Sequence, residues 1–133
     1  MVAPDKLPRA LKAVAAVTVL SGAVQMVAPG VVLGLLAGQP AGTLDRQLFG
    51  TVGMFMVGSG AVLALGLPPA GNRALAEALV PVVAAQKLGA AAAVAIGVRH
   101  RLFARRGLLL AGFDLGSALA CAAYWRRLRA QGG

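Results

Sequence analysis

Residues 74–98 read ALAEALVPVVAAQKLGAAAAVAIGV, and this stretch is long and apolar enough to cross a lipid bilayer. A helix that crosses a hydrocarbon layer about 30 Å thick needs about 20 mostly apolar residues. Asn72 is a good helix N-cap, and Glu77 lies near the positive end of the helix dipole. The sequence therefore predicts a transmembrane helix that begins after Asn72, ends near Val98 and is kinked at Pro81.

The second and fourth predicted helices lie on either side of this stretch in the chain. The second begins near Asp45-Arg46, runs through residues 49–67 and stops at Pro68-Pro69, which a lipid-exposed helix cannot continue through without losing hydrogen bonds. The fourth covers residues 107–125. Its last two residues are aromatic and Arg126-Arg127 follow them, a pattern typical of the membrane-water boundary.

The first predicted helix covers residues 11–28 and ends at Pro29-Gly30, because the residue before a proline is pushed out of helical geometry and glycine turns the chain readily. Two interpretations of the next residues are open. Residues 31–38 either continue the helix beyond a kink or form a short helix at the membrane surface. A polar turn over residues 39–42 follows in both cases.

A cleaved secretory signal peptide is the alternative for the first segment. Basic residues between Lys6 and Lys12 precede the apolar run, and residues 21–23, Ser-Gly-Ala, offer a small-residue cleavage site. The apolar run nevertheless continues through residues 24–27, which favours a complete span. Cleavage would leave three spans instead of four.

The composition of the chain agrees with lipid surroundings. Hydrophobic residues make up 59% and charged residues 13%, whereas a soluble domain is about half apolar and about a quarter charged. The 13 Lys and Arg do not indicate nucleic-acid binding, since ten of them stand in three short groups at the ends of apolar segments. We therefore expect an all-α fold, an integral membrane bundle of four transmembrane helices that forms one domain over residues 1–133. Its partner is membrane lipid, not nucleic acid.

The basic residues also predict the orientation in the membrane. An even number of spans puts both termini on one side together with Arg73. That side carries slightly more Lys and Arg than the other side, which holds Arg46 and the group within residues 99–106. The positive-inside rule therefore favours cytoplasmic termini in a bacterial inner membrane by a small margin, and dual insertion stays open.

Small residues four apart predict where the helices touch, because close helix contacts in lipid depend on residues that let the backbones approach. Three patches have this spacing: Gly60 and Ala64 on the second helix, Gly89, Ala93 and Gly97 on the third, and Gly112, Gly116 and Ala120 on the fourth. We expect contacts within one chain. A homo-oligomer or a larger membrane complex is the alternative.

Two ionisable residues lie inside predicted spans, where a Lys or Asp costs about 2.5–3.5 kcal/mol. Lys87 is near the middle of the third helix, beside Gln86, and Asp114 is well inside the fourth. Counted from the connection between these helices, the two charges differ in depth by about one helical turn, so we expect them to form an ion pair. Each charge also lies roughly opposite the Gly/Ala patch of its helix, so the pair and the patches cannot all form the same contact.

Two interpretations of this intramembrane polar centre are open. In the structural interpretation the ion pair fixes the register of two helices. In the functional one, Lys87, Asp114, Gln86 and also Gln25 of the first helix form a proton or ion relay, line the site of a quinone or lipid-like molecule, or contact a partner subunit. Gln25 alone is more typical of a hydrogen bond between helices.

The chain lacks the groups that a self-contained enzyme needs. Cys121 and His100 are its single Cys and His, so a disulfide within the chain, a CxxC redox pair and a Cys/His metal site are excluded. Paired catalytic carboxylates, a Ser-His-Asp constellation, a phosphate-binding loop and a dinucleotide fingerprint are not evident. We therefore expect no catalytic residues, no metal and no independent enzymatic activity.

Three local features accompany the pattern of four short spans: the Pro29-Gly30 break, RQLFG at residues 46–50 and QKLG at residues 86–89. With them the chain resembles the small DoxX-like membrane proteins over most of its length. Some members of that family are associated with quinone-linked sulfur oxidation. The resemblance implies an accessory or ligand-binding component near a quinone-dependent redox system. The alternative is a small proton-coupled transporter, expected to be oligomeric.

Overall fold

The computed structural model describes residues 6–37 and 40–131, and this part of the chain contains helices and no strand. The helices are α1 Lys6–Val27, α2 Pro29–Ala37, α3 Thr43–Gly66, α4 Arg73–Arg99 and α5 Gly107–Ala130. In these residues α1, α3, α4 and α5 are long and apolar enough to cross a membrane. The predicted all-α fold is therefore confirmed, and its four long helices are those of a multi-pass membrane protein.

The helix ends follow local chemistry. The Asn72 side chain accepts a hydrogen bond from the Leu75 N–H at 3.0 Å, so the predicted N-cap of α4 is confirmed. At the start of α3, the Asp45 carboxylate accepts the Gly42 N–H at 2.8 Å. Helices α1 and α5 extend several residues beyond the predicted apolar spans, because a helix can continue through the polar boundary while the span counts only the hydrocarbon layer.

The residues after Pro29 form a separate short helix and not a continuation of α1. The helix is interrupted at Ala28, and α2 packs against both α1 and α3. Its last carbonyls are bound by the loop between α4 and α5: the Ala104 N–H donates to the Leu36 carbonyl at 2.8 Å, and Arg106 donates to the Gly34 carbonyl at 3.2 Å. The predicted end of this segment, Gly38, and the first turn residue, Gln39, lie outside the described residues.

A buried apolar cluster joins the four long helices at one end of the bundle. Its members come from the first half of α1, the end of α3, the first half of α4 and the second half of α5: Leu11, Ala15, Leu63, Leu67, Ala76, Val80, Val83, Cys121 and Tyr124. The start of α1 and the end of α5 therefore share this end, which we call the terminal end. Helix α2 and the α4–α5 loop lie at the opposite end, the loop end.

Candidate intramembrane ligand site

The two intramembrane charges form an ion pair between α4 and α5. Lys87 Nζ donates to Asp114 Oδ1 at 2.7 Å, and the two side chains are only 2% and 16% exposed. Lys87 Nζ also lies 5.3 Å from the centre of the Phe113 ring, a distance at which a cation is attracted to an aromatic face. The pairing expected from the depth of the two residues is confirmed.

Four members of the Gly/Ala patches of α4 and α5 do not face another helix of this chain, so the prediction is wrong for them. Gly89, Ala93, Gly112 and Gly116 are all exposed, and a Cβ added at any of the three glycines would meet nothing within 4 Å. The reason is the ion pair. A two-residue offset turns a helix by about 200°, so burying Lys87 turns Gly89 outward. Exposing an ammonium to lipid costs far more than exposing a glycine.

Two members of these patches are buried for other reasons. Gly97 faces the α4–α5 loop, and a Cβ there would collide with the ring of Phe103. Ala120 is partly buried against the apolar cluster at the terminal end. Gly97 therefore makes room for a loop side chain and not for another helix, whereas Ala120 packs within the chain against the core of the bundle.

The closest approach of two helix backbones at glycines joins α1 and α3. A Cβ added at Gly22 would lie 2.6 Å from the Gly53 carbonyl oxygen, and one added at Gly53 would lie 2.6 Å from the Gly22 oxygen. Gly60 meets the Ala15 carbonyl oxygen in the same way, at 2.9 Å, so its predicted contact is confirmed, whereas Ala64 is exposed. Sequence analysis missed Gly22 and Gly53. The available signal was the seven-residue spacing of Gly53 and Gly60, which places them on one face.

The four polar residues expected at the centre of the bundle lie on the wall of one cavity of about 370 Å³. These residues are Gln25 of α1, Gln86 and Lys87 of α4, and Asp114 of α5. Most of the remaining wall is apolar: Val24, Val32, Leu36, Phe49, Val52, Met56, Ala90, Val94, Phe103 and Leu110. An apolar cavity with a few polar groups on its wall has the character of a small-molecule site.

The two glutamine amides of the cavity each have an oxygen atom without a hydrogen-bond partner among the described residues. Gln25 is only 7% exposed, and its Oε1 atom, like that of Gln86, has no partner among the described residues. A buried polar atom without a partner costs about 1–3 kcal/mol. Ser21, by contrast, donates to the Val17 carbonyl at 2.6 Å and has no such deficit. Each of the two amide oxygens can therefore accept a hydrogen bond from a donor group of a molecule in the cavity.

Lys87 has spare hydrogen-bonding capacity of the opposite kind. An ammonium group has three donors, and within the described residues Asp114 is the partner of one of them. The cavity therefore combines unused donors on Lys87 with amides that can donate or accept. This combination suits the carbonyl or hydroxyl oxygens of a largely apolar molecule.

Helix α2 and Phe103 form the wall of the cavity at the loop end. Val32 and Leu36 of α2 line the cavity together with Phe103. The Phe103 ring packs against Gly97, where a larger residue would collide with it. The hydrogen bonds from Ala104 and Arg106 to the carbonyls of α2 hold this wall together. The short helix after the Pro29 break is therefore a component of the site.

Comparison with known proteins adds no relative. No protein-family model, curated protein or solved structure matches the chain. The resemblance to DoxX-like proteins stays a prediction, and inference about function rests on the cavity and its polar groups.

Proposed function

We propose that this protein binds an apolar molecule with a carbonyl- or hydroxyl-bearing head, of the quinone class or a lipid-like molecule, within the membrane. The observation that carries the proposal is an apolar cavity lined by the Lys87–Asp114 pair and by Gln25, which is nine-tenths buried and whose Oε1 has no partner among the described residues. In this role the protein is an accessory or ligand-binding component of a quinone-dependent redox system, and the chemistry takes place on a partner subunit.

A quinone matches the two kinds of group on the wall. Its carbonyl oxygens accept hydrogen bonds from Lys87 or from a glutamine amide, and its reduced hydroxyl form can donate to Gln25 Oε1 or Gln86 Oε1. The ring and isoprenoid tail are apolar, as are the side chains of α2 and α3 that line the cavity. The DoxX-like resemblance supports the same ligand class.

Mass spectrometry of the molecules retained after gentle purification is the first test. We expect a large fraction of the purified protein chains to retain one quinone or one lipid-like molecule each. Gln25→Leu should reduce that retention several-fold, because it removes a polar contact while keeping an apolar side chain of similar size. Gln47→Leu is the matched control, since Gln47 is exposed on α3 and lies outside this cavity.

A binding titration with a short-chain benzoquinone sharpens this test. Gln25→Leu should weaken binding without lowering the thermal stability of the ligand-free protein, because the unpartnered amide is itself destabilising. Equal binding by Gln25→Leu, Gln47→Leu and the unmodified protein would contradict the proposal. Lower stability of Gln25→Leu would instead assign Gln25 a packing role.

A proton-coupled transporter is the second candidate, because an ionisable pair lies on the wall of an intramembrane cavity. The two functions predict different behaviour of the purified protein. A transporter moves a solute or protons across liposomes that contain this protein alone, whereas an accessory subunit shows no flux and co-purifies with a partner. Flux that is lost in Asp114→Asn would favour the transporter.

The proposal includes a bacterial inner membrane with cytoplasmic termini. The helix ends and connections at the terminal end hold more Lys and Arg than those at the loop end, which supports this orientation. Reporter fusions to the N- and C-termini of the whole chain test it: both should report the cytoplasmic side. Association with a larger complex or a second copy is tested by the mass of the particle in mild detergent.

A further inference from the structure

Three arginines line a second depression, of about 440 Å³, at the loop end of the bundle. We call it the arginine groove; Arg99, Arg101 and Arg105 supply its charge, and Val98 and Phe103 are among its apolar walls. Within the described residues the two ion pairs are Lys87–Asp114 and Arg73–Glu77, so neither engages these guanidinium groups. Concentrated positive charge without carboxylates attracts an anion.

The backbone conformation of Arg101 is a separate observation that supports a role for its side chain in the groove. Arg101 has φ 61°, in the left-handed region that a residue with a side chain rarely adopts. It occupies the position after the cap of α4, where the Leu102 N–H donates to Gly97 O at 2.9 Å and the Arg101 N–H donates to Val98 O at 3.1 Å. Glycine is the usual residue at this position of a helix end. An arginine there carries a conformational cost that a use for its guanidinium would explain.

The position of the groove indicates that the anion belongs to a lipid. The groove lies between the end of α4 and the start of α5, and the ends of membrane-spanning helices lie at the level of the lipid head groups. Leu102, between two groove residues, is 67% exposed, and Leu109 on the first turn of α5 is 80% exposed. The acyl chains of a lipid whose phosphate is bound in the groove can cover these exposed leucines. A free phosphate ion has no apolar part that could cover them.

We propose that the arginine groove binds the phosphate of an acidic phospholipid. Guanidinium groups bind phosphate oxygens through paired, charge-assisted hydrogen bonds, and three of them neutralise an anionic head better than a zwitterionic one. Phe103 lines both the groove and the intramembrane cavity. The bound lipid therefore lies against the wall that closes the ligand cavity, and its head lies at the loop end.

Native mass spectrometry of the full chain in micelles with equal phosphatidylglycerol and phosphatidylcholine tests this proposal. The unmodified protein should retain phosphatidylglycerol preferentially. Changing Arg99, Arg101 and Arg105 together to Gln should reduce that preference by about tenfold or more. The matched control changes Arg9, Lys12 and Arg126 to Gln, which removes the same charge from exposed positions at the terminal end and should keep the preference.

Arg101→Gly separates binding from folding. Glycine fits the left-handed backbone better than arginine, so the melting temperature should be equal or higher, while the lipid preference falls by about fivefold. A preference that is unchanged in Arg101→Gly and in the groove triple variant would overturn the proposal, as would an equal loss in both triple variants. Binding of inorganic phosphate by the unmodified protein but not by the groove triple variant, without any preference between the two lipids, would assign the groove to a free anion and overturn its assignment to lipid.

Discussion

The two helix pairs of this bundle are held together by different means. Helices α1 and α3 meet through Gly22, Gly53 and Gly60, where side chains are absent and the backbones approach. Helices α4 and α5 meet through the Lys87–Asp114 pair, and three of their glycines face outward. In lipid, apolar side chains do not distinguish one helix face from another. On α4 and α5, burial of the charges therefore takes precedence over the spacing of the glycines that face outward.

The two helix pairs also supply different polar groups to the cavity. The pair α4 and α5 supplies its charges, and α1 supplies the unpartnered Gln25 from a helix that glycines hold in place. The cavity therefore draws its polar groups from two helix pairs that are held together by different means. Substitutions at four sites test this comparison, in order of expected effect: the ion pair, Gly53, Glu77 and Gly116.

Breaking the ion pair should have the largest effect. Lys87→Met alone should destabilise the bundle by about 3–5 kcal/mol, because it leaves the Asp114 carboxylate buried without its partner, and Asp114→Leu alone should do the same. The double variant should recover most of this loss. Unfolding in detergent with increasing SDS measures all three.

The double variant also separates structure from function. Recovered stability with intact quinone binding would indicate a structural pair, and recovered stability with lost binding would make the pair part of the site. Strictly additive losses in the double variant would contradict an energetic coupling of the two residues.

Gly53→Ala should have the next largest effect, a loss of about 1–3 kcal/mol. Its new Cβ would meet the Gly22 carbonyl oxygen, a backbone atom that can move only if the two helices separate. Gly58→Ala is the control on the same helix, because nothing lies within 4 Å of its new Cβ. Since alanine favours a helix, the control should be neutral or slightly stabilising. Equal melting temperatures for the two variants would contradict the α1–α3 contact.

Glu77→Gln should cost at most about 0.5 kcal/mol. Glu77 accepts from Arg73 at 2.6 Å, but both side chains are partly exposed, so water screens the interaction. Comparison with Lys87→Met on the same helix measures what burial adds to an ion pair. A loss comparable to that of Lys87→Met would show that position in the bundle does not control the strength of these pairs.

Gly116→Leu should have the smallest effect on the single chain. An outward-facing position accepts a larger apolar side chain, so the melting temperature should equal that of the unmodified protein. Gel filtration in mild detergent accompanies the measurement. A lower melting temperature together with a smaller particle would show that this face binds a second copy, the alternative that the glycine spacing raised.

The ion pair and the glycine patches show how far sequence reasoning reached. Lys87 and Asp114 could be paired from their depth alone, because helical rise is constant and an isolated charge in hydrocarbon is costly. The patches of α4 and α5 could not be placed, since the same spacing suits a contact within the chain, a contact between copies or lipid. Gly22 and Gly53 acquire their role only when two distant segments cross at them.

The sequence by itself determined the membrane environment, the four long helices, the break at Pro29 and the presence of a buried polar centre. These follow from length, composition and the cost of polar groups in lipid, which act on each segment locally. Tertiary structure decided which faces touch, that α2 and Phe103 line a cavity, and that Gln25 Oε1 lies in the same cavity as the charges of α4 and α5 with no partner among the described residues. These depend on how helices distant in sequence rotate against one another, and that rotation is a property of the assembled bundle and not of any one segment.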